Sequence, residues 1–171
     1  MNKGPFLLKE YFKNKEYTDE VLVDGWFNTG DKGYIDENGF LHITGRVKDI
    51  FKTSKGKYIE PHLIEEKFEK SNLFQQLCVV GLGLSQPILL GVPNEISKLN
   101  KDETTEKMNN FLEKINSSMD SYKKIKKVVF LKDEWTPENN LTTPTLKIKR
   151  AKIDEEFAKN YESWFNSDNV I

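Results

Sequence analysis

The runs Leu77-Cys78-Val79-Val80-Gly81-Leu82 and Ile88-Leu89-Leu90-Gly91-Val92 decide the fold of this 171-residue chain. Each is almost wholly apolar and of strand length, and Gly83, Ser85 and Pro87 separate them. A short apolar run bounded by turn residues predicts a buried strand. Downstream, Met108, Phe111, Leu112, Ile115 and Met119 recur at i, i+3, i+4, i+7 and i+11, the signature of an amphipathic helix over Thr104–Asp120. Val128-Val129-Phe130-Leu131 predicts a third buried strand, and Trp135–Thr145, with Pro137 and Pro144, predicts a polar loop. Ile153, Phe157, Tyr161, Trp164 and Phe165 mark a terminal helix. Upstream, Pro61 opens a helical stretch in which Leu63, Ile64, Lys67 and Phe68 recur at helical spacing. Strand–strand–helix–strand with flanking helices is an α+β domain with a three-stranded sheet.

The first 46 residues have a different texture, rich in turns and aromatics. Tyr34-Ile35-Asp36-Glu37-Asn38-Gly39-Phe40-Leu41-His42-Ile43 reads as two short strands around an Asn-Gly turn. A short hairpin is marginal alone, so this segment is expected to need something larger to pack on. From Val47 the pattern changes again, and a Lys-rich loop, Lys52-Thr53-Ser54-Lys55-Gly56-Lys57, leads into the Pro61 helix.

The totals exclude several classes of protein. Charged residues are 31% and the formal net charge is −1, which implies no polyanionic partner. The lone Cys78 cannot form an internal disulfide, and the Cys and His residues lack zinc spacing, so no metal site is expected. No apolar run approaches the roughly 20 residues of a membrane span, and Met1–Lys9 does not read as a signal peptide. A cytoplasmic location is the expectation, with peripheral contact to a membrane left open.

Three stretches, read in order, carry a resemblance. The first is Gly25-Trp26-Phe27-Asn28-Thr29-Gly30-Asp31, preceded by Gly4-Pro5 and Tyr11-Phe12-Lys13-Asn14. The second runs from Gly45-Arg46-Val47-Lys48-Asp49-Ile50 through the Lys52–Lys57 loop to Tyr58-Ile59-Glu60-Pro61 and Ile64-Glu65. The third is Leu141-Thr142-Thr143-Pro144-Thr145-Leu146-Lys147-Ile148-Lys149-Arg150. With Val79-Val80-Gly81 and Gly91-Val92-Pro93-Asn94 they resemble the adenylate-forming superfamily of acyl-CoA synthetases, aryl-CoA ligases and luciferases. The Lys-Thr-Ser loop and the Thr-Pro-Thr-Leu-Lys ending look most like its long-chain fatty acid branch.

The resemblance implies a division at residue 47. Residues 1–47 correspond to the incomplete end of the family's large amino-terminal domain, a β-hairpin subdomain, and residues 48–171 to its carboxy-terminal lid. The phosphate loop and acyl pocket of the large domain have no counterpart here, so the chain is expected to be a piece of a longer enzyme and inactive alone. The implied substrates are a fatty acid, ATP with Mg²⁺ and CoA, the metal site lying mostly in the absent domain, which is itself an implied partner. Nucleic acid is not an expected partner; the basic run Lys123-Lys124-x-Lys126-Lys127 is more simply a solvated surface. A free-standing, non-catalytic lid-like module that binds a nucleotide or a protein is the alternative.

Residue by residue, the resemblance gives Asp31 the ribose hydroxyls of ATP, for which a carboxylate offers two acceptor oxygens. Arg46 is implied to contact ribose and phosphate, where a planar fork of donors suits oxyanions. Lys48 stands at the hinge, which must absorb a backbone change while staying solvated. Lys52, Ser54, Lys55, Gly56 and Lys57 resemble the loop that enters for thioester formation, with Gly56 allowing close approach to the pantetheine arm. Lys147 aligns with the lysine that bridges carboxylate and α-phosphate during adenylation. Leu146 replaces the Gly of many relatives, and a register two residues later would put Lys149 in the role instead. Without the resemblance, Asp31 is a turn aspartate, Arg46 an exposed strand end, Lys48 a surface lysine and Lys52–Lys57 a solvated charge run. His42, His62 and Cys78 read as structural.

Overall fold

The computed structural model describes residues 1–167 and divides the chain into two units, Met1–Lys48 and Asp49–Ile171. In the first, helix α1 (Lys15–Val21) starts where the Asn14 side chain accepts the Tyr17 N–H at 3.1 Å. Strands β1 (Leu22–Val23) and β2 (Trp26–Phe27) pair antiparallel. So do β3 (Asp31–Ile35) and β4 (Leu41–Arg46), in the hairpin that the Asn-Gly pair predicts. Its turn is longer than a two-residue one. The Asp36 carbonyl accepts the Gly39 N–H, and the Asp36 carboxylate accepts the N–H groups of Asn38 and Phe40, both at 2.9 Å. His42 Nε2 lies 2.7 Å from the same carboxylate. That contact first, and the Phe40 amide next, hold the Asp36 carboxyl below its ordinary range.

This unit has almost no core of its own. Thr18 and Val21 alone are buried among residues 1–48, while Tyr34, Ile35, Phe40, Leu41 and Ile43 are all more than half exposed. The hairpin thus presents apolar side chains of the kind that soluble domains cover.

In the second unit a minimal hairpin of β5 (Phe51–Lys52) and β6 (Tyr58–Ile59) precedes α2 (Pro61–Glu69), whose first residue is the proline favoured there. The three-stranded sheet has the order β7 (Phe74–Val80), β8 (Ile88–Pro93), β9 (Val128–Phe130), antiparallel then parallel. Between β8 and β9 lie α3 (Glu95–Leu99) and α4 (Lys101–Ser117); α5 (Arg150–Asn166) closes the described chain.

Period-two alternation explains why the central runs are apolar throughout. Cys78, Val80, Ile88, Leu90, Val92 and Val129 point to one face, where Trp135, Leu141 and the α5 residues Ile153 and Tyr161 cover them. Leu77, Val79, Leu89 and Val128 point to the other, under Ile64 and Phe68 of α2 and Met108 of α4. A sheet buried on both faces needs apolar residues at both parities. Gly91 has a packing reason as well. A Cβ there would sit 2.3 Å from the Phe74 ring, which stacks on Phe130 with centroids 5.4 Å apart.

The strand expected over Leu77–Leu82 is displaced toward its amino end. It begins at Phe74 because Gln76, polar in sequence, spends its amide on the Trp135 backbone, donating at 2.7 Å and accepting at 2.8 Å. It ends at Val80 because Gly81 turns to φ +137°. The helix expected over Thr104–Asp120 runs from Lys101 to Ser117 for a similar local reason. At its end the Asn116 amide leaves the helix pattern to bond the Ile125 backbone at 2.9 Å in both directions.

Candidate functional site

Asp31 and Arg46 face each other in register at the open end of the β3–β4 hairpin, with Arg46 Nε 3.3 Å from Asp31 Oδ1. Two side-chain turns deliver Asp31 there. Asn28 Oδ1 accepts the Gly30 N–H and Thr29 Oγ1 accepts the Asp31 N–H, each at 3.1 Å, while Gly30 takes φ +73°. Thr29, not Asp31, satisfies that amide, so the carboxylate is not consumed by its own turn. The side chains are 30% and 67% exposed, and such a pair holds together by less than about 1 kcal/mol. A ligand's hydroxyl or phosphate could take over either partner at little cost. Lys48 is exposed within the single 3-10 turn Val47–Asp49.

In the second unit the Lys-rich segment is the tip of the β5–β6 hairpin. Thr53 is buried and anchors it: its N–H donates to the Lys57 carbonyl at 2.9 Å and its Oγ1 accepts the Lys57 N–H at 3.1 Å. Gly56, at φ +77°, returns its N–H to the Thr53 carbonyl, and the Ser54 N–H reaches the Leu84 carbonyl, both at 2.9 Å. The backbone is therefore fixed while Lys52, Ser54, Lys55, Gly56 and Lys57 remain exposed. The ammonium of Lys52 lies 5.6 Å from the Tyr58 ring centroid and that of Lys57 lies 5.8 Å from Tyr122.

Lys147 follows a tight turn pinned at Thr143. The Thr143 N–H donates to the Lys147 carbonyl at 2.8 Å, and Thr143 Oγ1 accepts the Lys147 N–H at 3.1 Å. Leu146 sits at φ +61° and is 69% exposed. Lys147 is itself exposed. Lys149 is not equivalent: its Nζ donates to Asn140 Oδ1 at 2.5 Å, and the Lys152 amine reaches Glu155.

One group that carries no local signal in sequence is Arg150. Its side chain is 15% exposed, and Nη2 donates to both oxygens of Glu65 at 2.8 and 2.9 Å. Nη1 donates to the Val79 carbonyl at 2.7 Å and touches Cys78 Sγ, while Nε lies 3.8 Å from Asp49. Glu65 Oε1 also accepts the Val79 N–H at 2.7 Å, which closes the ring. Burial opposes the guanidinium charge, yet the carboxylates of Glu65 and Asp49 beside it hold its pKa above the ordinary arginine value. Burial pushes the Cys78 thiol up as well, so it stands neutral and the offsetting charge is Glu65.

The sites expected to be structural have ordinary partners. His42 stacks on Tyr34 with centroids 5.0 Å apart, His62 is exposed at the start of α2, and Cys78 is buried in β7. In the basic run, Lys123 pairs with Asp120 at 2.8 Å.

A family model described as the AMP-binding enzyme C-terminal domain matches residues 48–169. The long-chain-fatty-acid–CoA ligase FadD15 of Mycobacterium tuberculosis is 29% identical over 97% of this chain, which spans 31% of that protein. Long-chain-fatty-acid–CoA ligase 5 of Mus musculus is 33% identical over 96% of the chain, which spans 27% of it. Among solved structures, the A domain of a carboxylic acid reductase from Segniliparus rugosus matches 94% of the chain with a TM-score of 0.80 at 21% identity, a likeness of fold. The chain thus spans between about a quarter and a third of the curated relatives it matches.

Proposed function

The chain belongs to the AMP-binding enzyme C-terminal domain family, and on that premise we propose that it is the carboxy-terminal part of an ATP-dependent long-chain fatty acid–CoA ligase. Residues 1–47 end the large domain and residues 48–171 are the lid. The observation that carries the reading is the pair of lysines after Thr143. Lys147 is exposed on a pinned turn, whereas Lys149 is tied down to Asn140.

In adenylation a carboxylate oxygen of the fatty acid attacks the α-phosphorus of ATP, the α–β anhydride breaks and pyrophosphate leaves. Two anions must meet, and the Lys147 ammonium offsets their repulsion as the new bond forms. Asp31 accepts the ribose hydroxyls, and Arg46, released from Asp31, turns its donors to ribose and phosphate. The lid then rotates about Lys48, withdrawing Lys147 and presenting the Lys52–Lys57 hairpin. The CoA thiolate attacks the acyl carbonyl, the bond from that carbon to the phosphate oxygen breaks, and AMP leaves. The fixed backbone at Thr53, with Gly56 bare of a side chain, lets the pantetheine arm pass close. Mg²⁺ would arrive on the nucleotide's phosphates; among the described residues no group of three or more His, Cys, Asp or Glu is placed to hold it. The exposed hairpin face of Ile35, Leu41 and Ile43 packs on the rest of the large domain. A cytoplasmic site of action is part of the same proposal.

The test is direct. Incubated with ATP, Mg²⁺, CoA and a series of fatty acids around palmitate, the complete gene product should release AMP and form acyl-CoA, and the 171-residue chain alone should do neither. Failure of the complete product across the whole series would overturn the reading.

A further inference from the structure

The ring around Arg150 is more elaborate than a fold of this size needs. Arg150 is the first residue of α5, and a cation at a helix amino terminus is opposed by the helix dipole. The first turn of α5 holds no acidic residue to compensate. Its guanidinium instead turns inward and hydrogen-bonds Glu65 of α2 and Cys78 and Val79 of β7, while Asp49 stands 3.8 Å from Nε, which makes no hydrogen bond among the described residues. Replacing such a buried ionic cluster with apolar residues is often neutral or stabilising, so stability alone is a weak reason for it.

Its position in the chain suggests another reason. Arg150 lies three residues after Lys147. The intervening segment is strapped to the loop by the Thr142–Ile148 bridge and by the Lys149 N–H, which donates to the Leu141 carbonyl at 2.8 Å. The Lys147 turn is thus held to its own loop at Leu141–Thr143, and Arg150 adds the anchor to α2 and β7 at its carboxy end. Asp49, the outer partner, follows Lys48 directly in sequence.

We propose that Arg150 is the positioning residue for Lys147: clamped by Glu65 and Val79, it fixes where the adenylation lysine stands, with the Asp49 carboxylate a weaker counter-charge beside the proposed hinge. This rests on the reading of Lys147 given above. The Lys52–Lys57 hairpin is pinned independently, by Thr53 and by Leu84, so it does not depend on Arg150. Loosening the clamp should then weaken one half-reaction and spare the other.

The experiment uses the complete gene product carrying Arg150→Lys, Glu65→Gln, Asp49→Asn, or Asp49→Asn with Arg150→Lys, with Lys147→Ala as reference. Adenylation is read by palmitate-dependent exchange of pyrophosphate into ATP, thioester formation from synthetic palmitoyl-adenylate plus CoA, and folding by thermal melts. A misplacement of about 1 Å can cost on the order of 10²-fold, so Arg150→Lys should lower kcat of exchange by about 10- to 100-fold. KM for ATP and palmitate should hold, and thioester formation should stay within about threefold. Asp49→Asn should cost less, and the double variant no more than Arg150→Lys alone, since Asp49 acts only through that guanidinium. If Arg150→Lys does not fold, Glu65→Gln, which keeps the shape of the pair, carries the same expectation. Full exchange activity in the folded clamp variants, or equal loss of both half-reactions, overturns the proposal. Unimpaired exchange by Lys147→Ala would instead show that the reading of Lys147 is at fault.

Discussion

Glu65 and Arg150 stand 85 positions apart in sequence, yet Arg150 Nη2 lies 2.8 and 2.9 Å from the two oxygens of Glu65. Both side chains are no more than 15% exposed, so neither can exchange its partner for water. Changing Glu65 to Ala strands the guanidinium and frees the Val79 N–H at once. Loss of one partner of a buried pair costs about 3–5 kcal/mol. Denaturant unfolding of the chain should show a loss of that order. A Glu65→Ala variant within about 1 kcal/mol of the wild type would mean that the cluster is hydrated and ordinary.

Alkali should weaken the second unit before its lysines titrate. Burial raises the Cys78 thiol out of its usual range; burial, then the 2.7 Å hydrogen bond to Asp154, does the same for the Tyr161 phenol. Both groups hold their protons more tightly folded than unfolded. Their contribution is therefore complete below the unfolded values and declines as pH rises, from about 8.5 for the thiol and about 10 for the phenol. The slope approaches about 1.4 kcal/mol per pH unit for each group. Urea midpoints between pH 7.5 and 10 should fall, and Cys78→Ala should delay the onset by removing the thiol's share. Identical pH profiles for that variant and the wild type would count against buried, protonated Cys78.

Leu146 carries measurable backbone strain. Its φ of +61° is a region where a residue with a Cβ stands about 1–2 kcal/mol above its preferred conformations. The side chain is 69% exposed, so little packing offsets this. Leu146→Gly relieves the strain but adds about 0.5–1 kcal/mol of unfolded-state entropy. The net effect should be a gain of up to about 1 kcal/mol, and Leu146→Val, β-branched, should lose stability instead. Chemical unfolding of both variants decides it; a stabilising Val would mean that the turn is not held in this conformation.

The sheet and its covering helices were legible because their signal is local. Strand-length apolar runs, and apolar residues three and four apart, state burial within a window of a few residues. Two-residue strands such as β5 and β6 have no period to read, which is why Lys52–Lys57 shows in sequence as a loop and not as a hairpin tip. Helices α1 and α3, of seven and five residues, fall below the same threshold. The Asp31–Arg46 pairing was not legible: the ladder shifts by one between Lys32 and Gly33, so counting outward from the turn would set Arg46 opposite Gly30. Glu65 and Arg150 belonged to quoted motifs, but no rule of spacing joins residues that meet only through the packing of α2, β7 and α5. Leu146 is a different case: a residue disfavoured at positive φ gives no hint of the turn, and its neighbours Thr143 and Pro144 carry that information instead.

The two lysines after Thr143 give the sharpest separation of the half-reactions. Lys147 is exposed on a turn whose backbone is pinned at Thr143, while the Lys149 amine is held 2.5 Å from Asn140. On the proposed reading, Lys147→Ala in the complete gene product removes a charge needed only while carboxylate and α-phosphate meet. Loss of one preorganised electrostatic group costs about 10²–10³ in rate, so pyrophosphate exchange should fall by that factor. Palmitoyl-adenylate supplied with CoA should still be converted at close to the wild-type rate, because the proposed thioester step uses an orientation in which Lys147 is withdrawn. Lys149→Ala should do neither; its loss is a surface hydrogen bond, visible as about 1 kcal/mol of stability and little else. Gly56→Trp should reverse the Lys147 pattern. A side chain at φ +77° on the hairpin tip obstructs the pantetheine arm and leaves exchange intact. Loss of exchange in Lys149→Ala with retention in Lys147→Ala would shift the assignment by two residues, and equal loss of both half-reactions in Lys147→Ala would rule out a rotating lid.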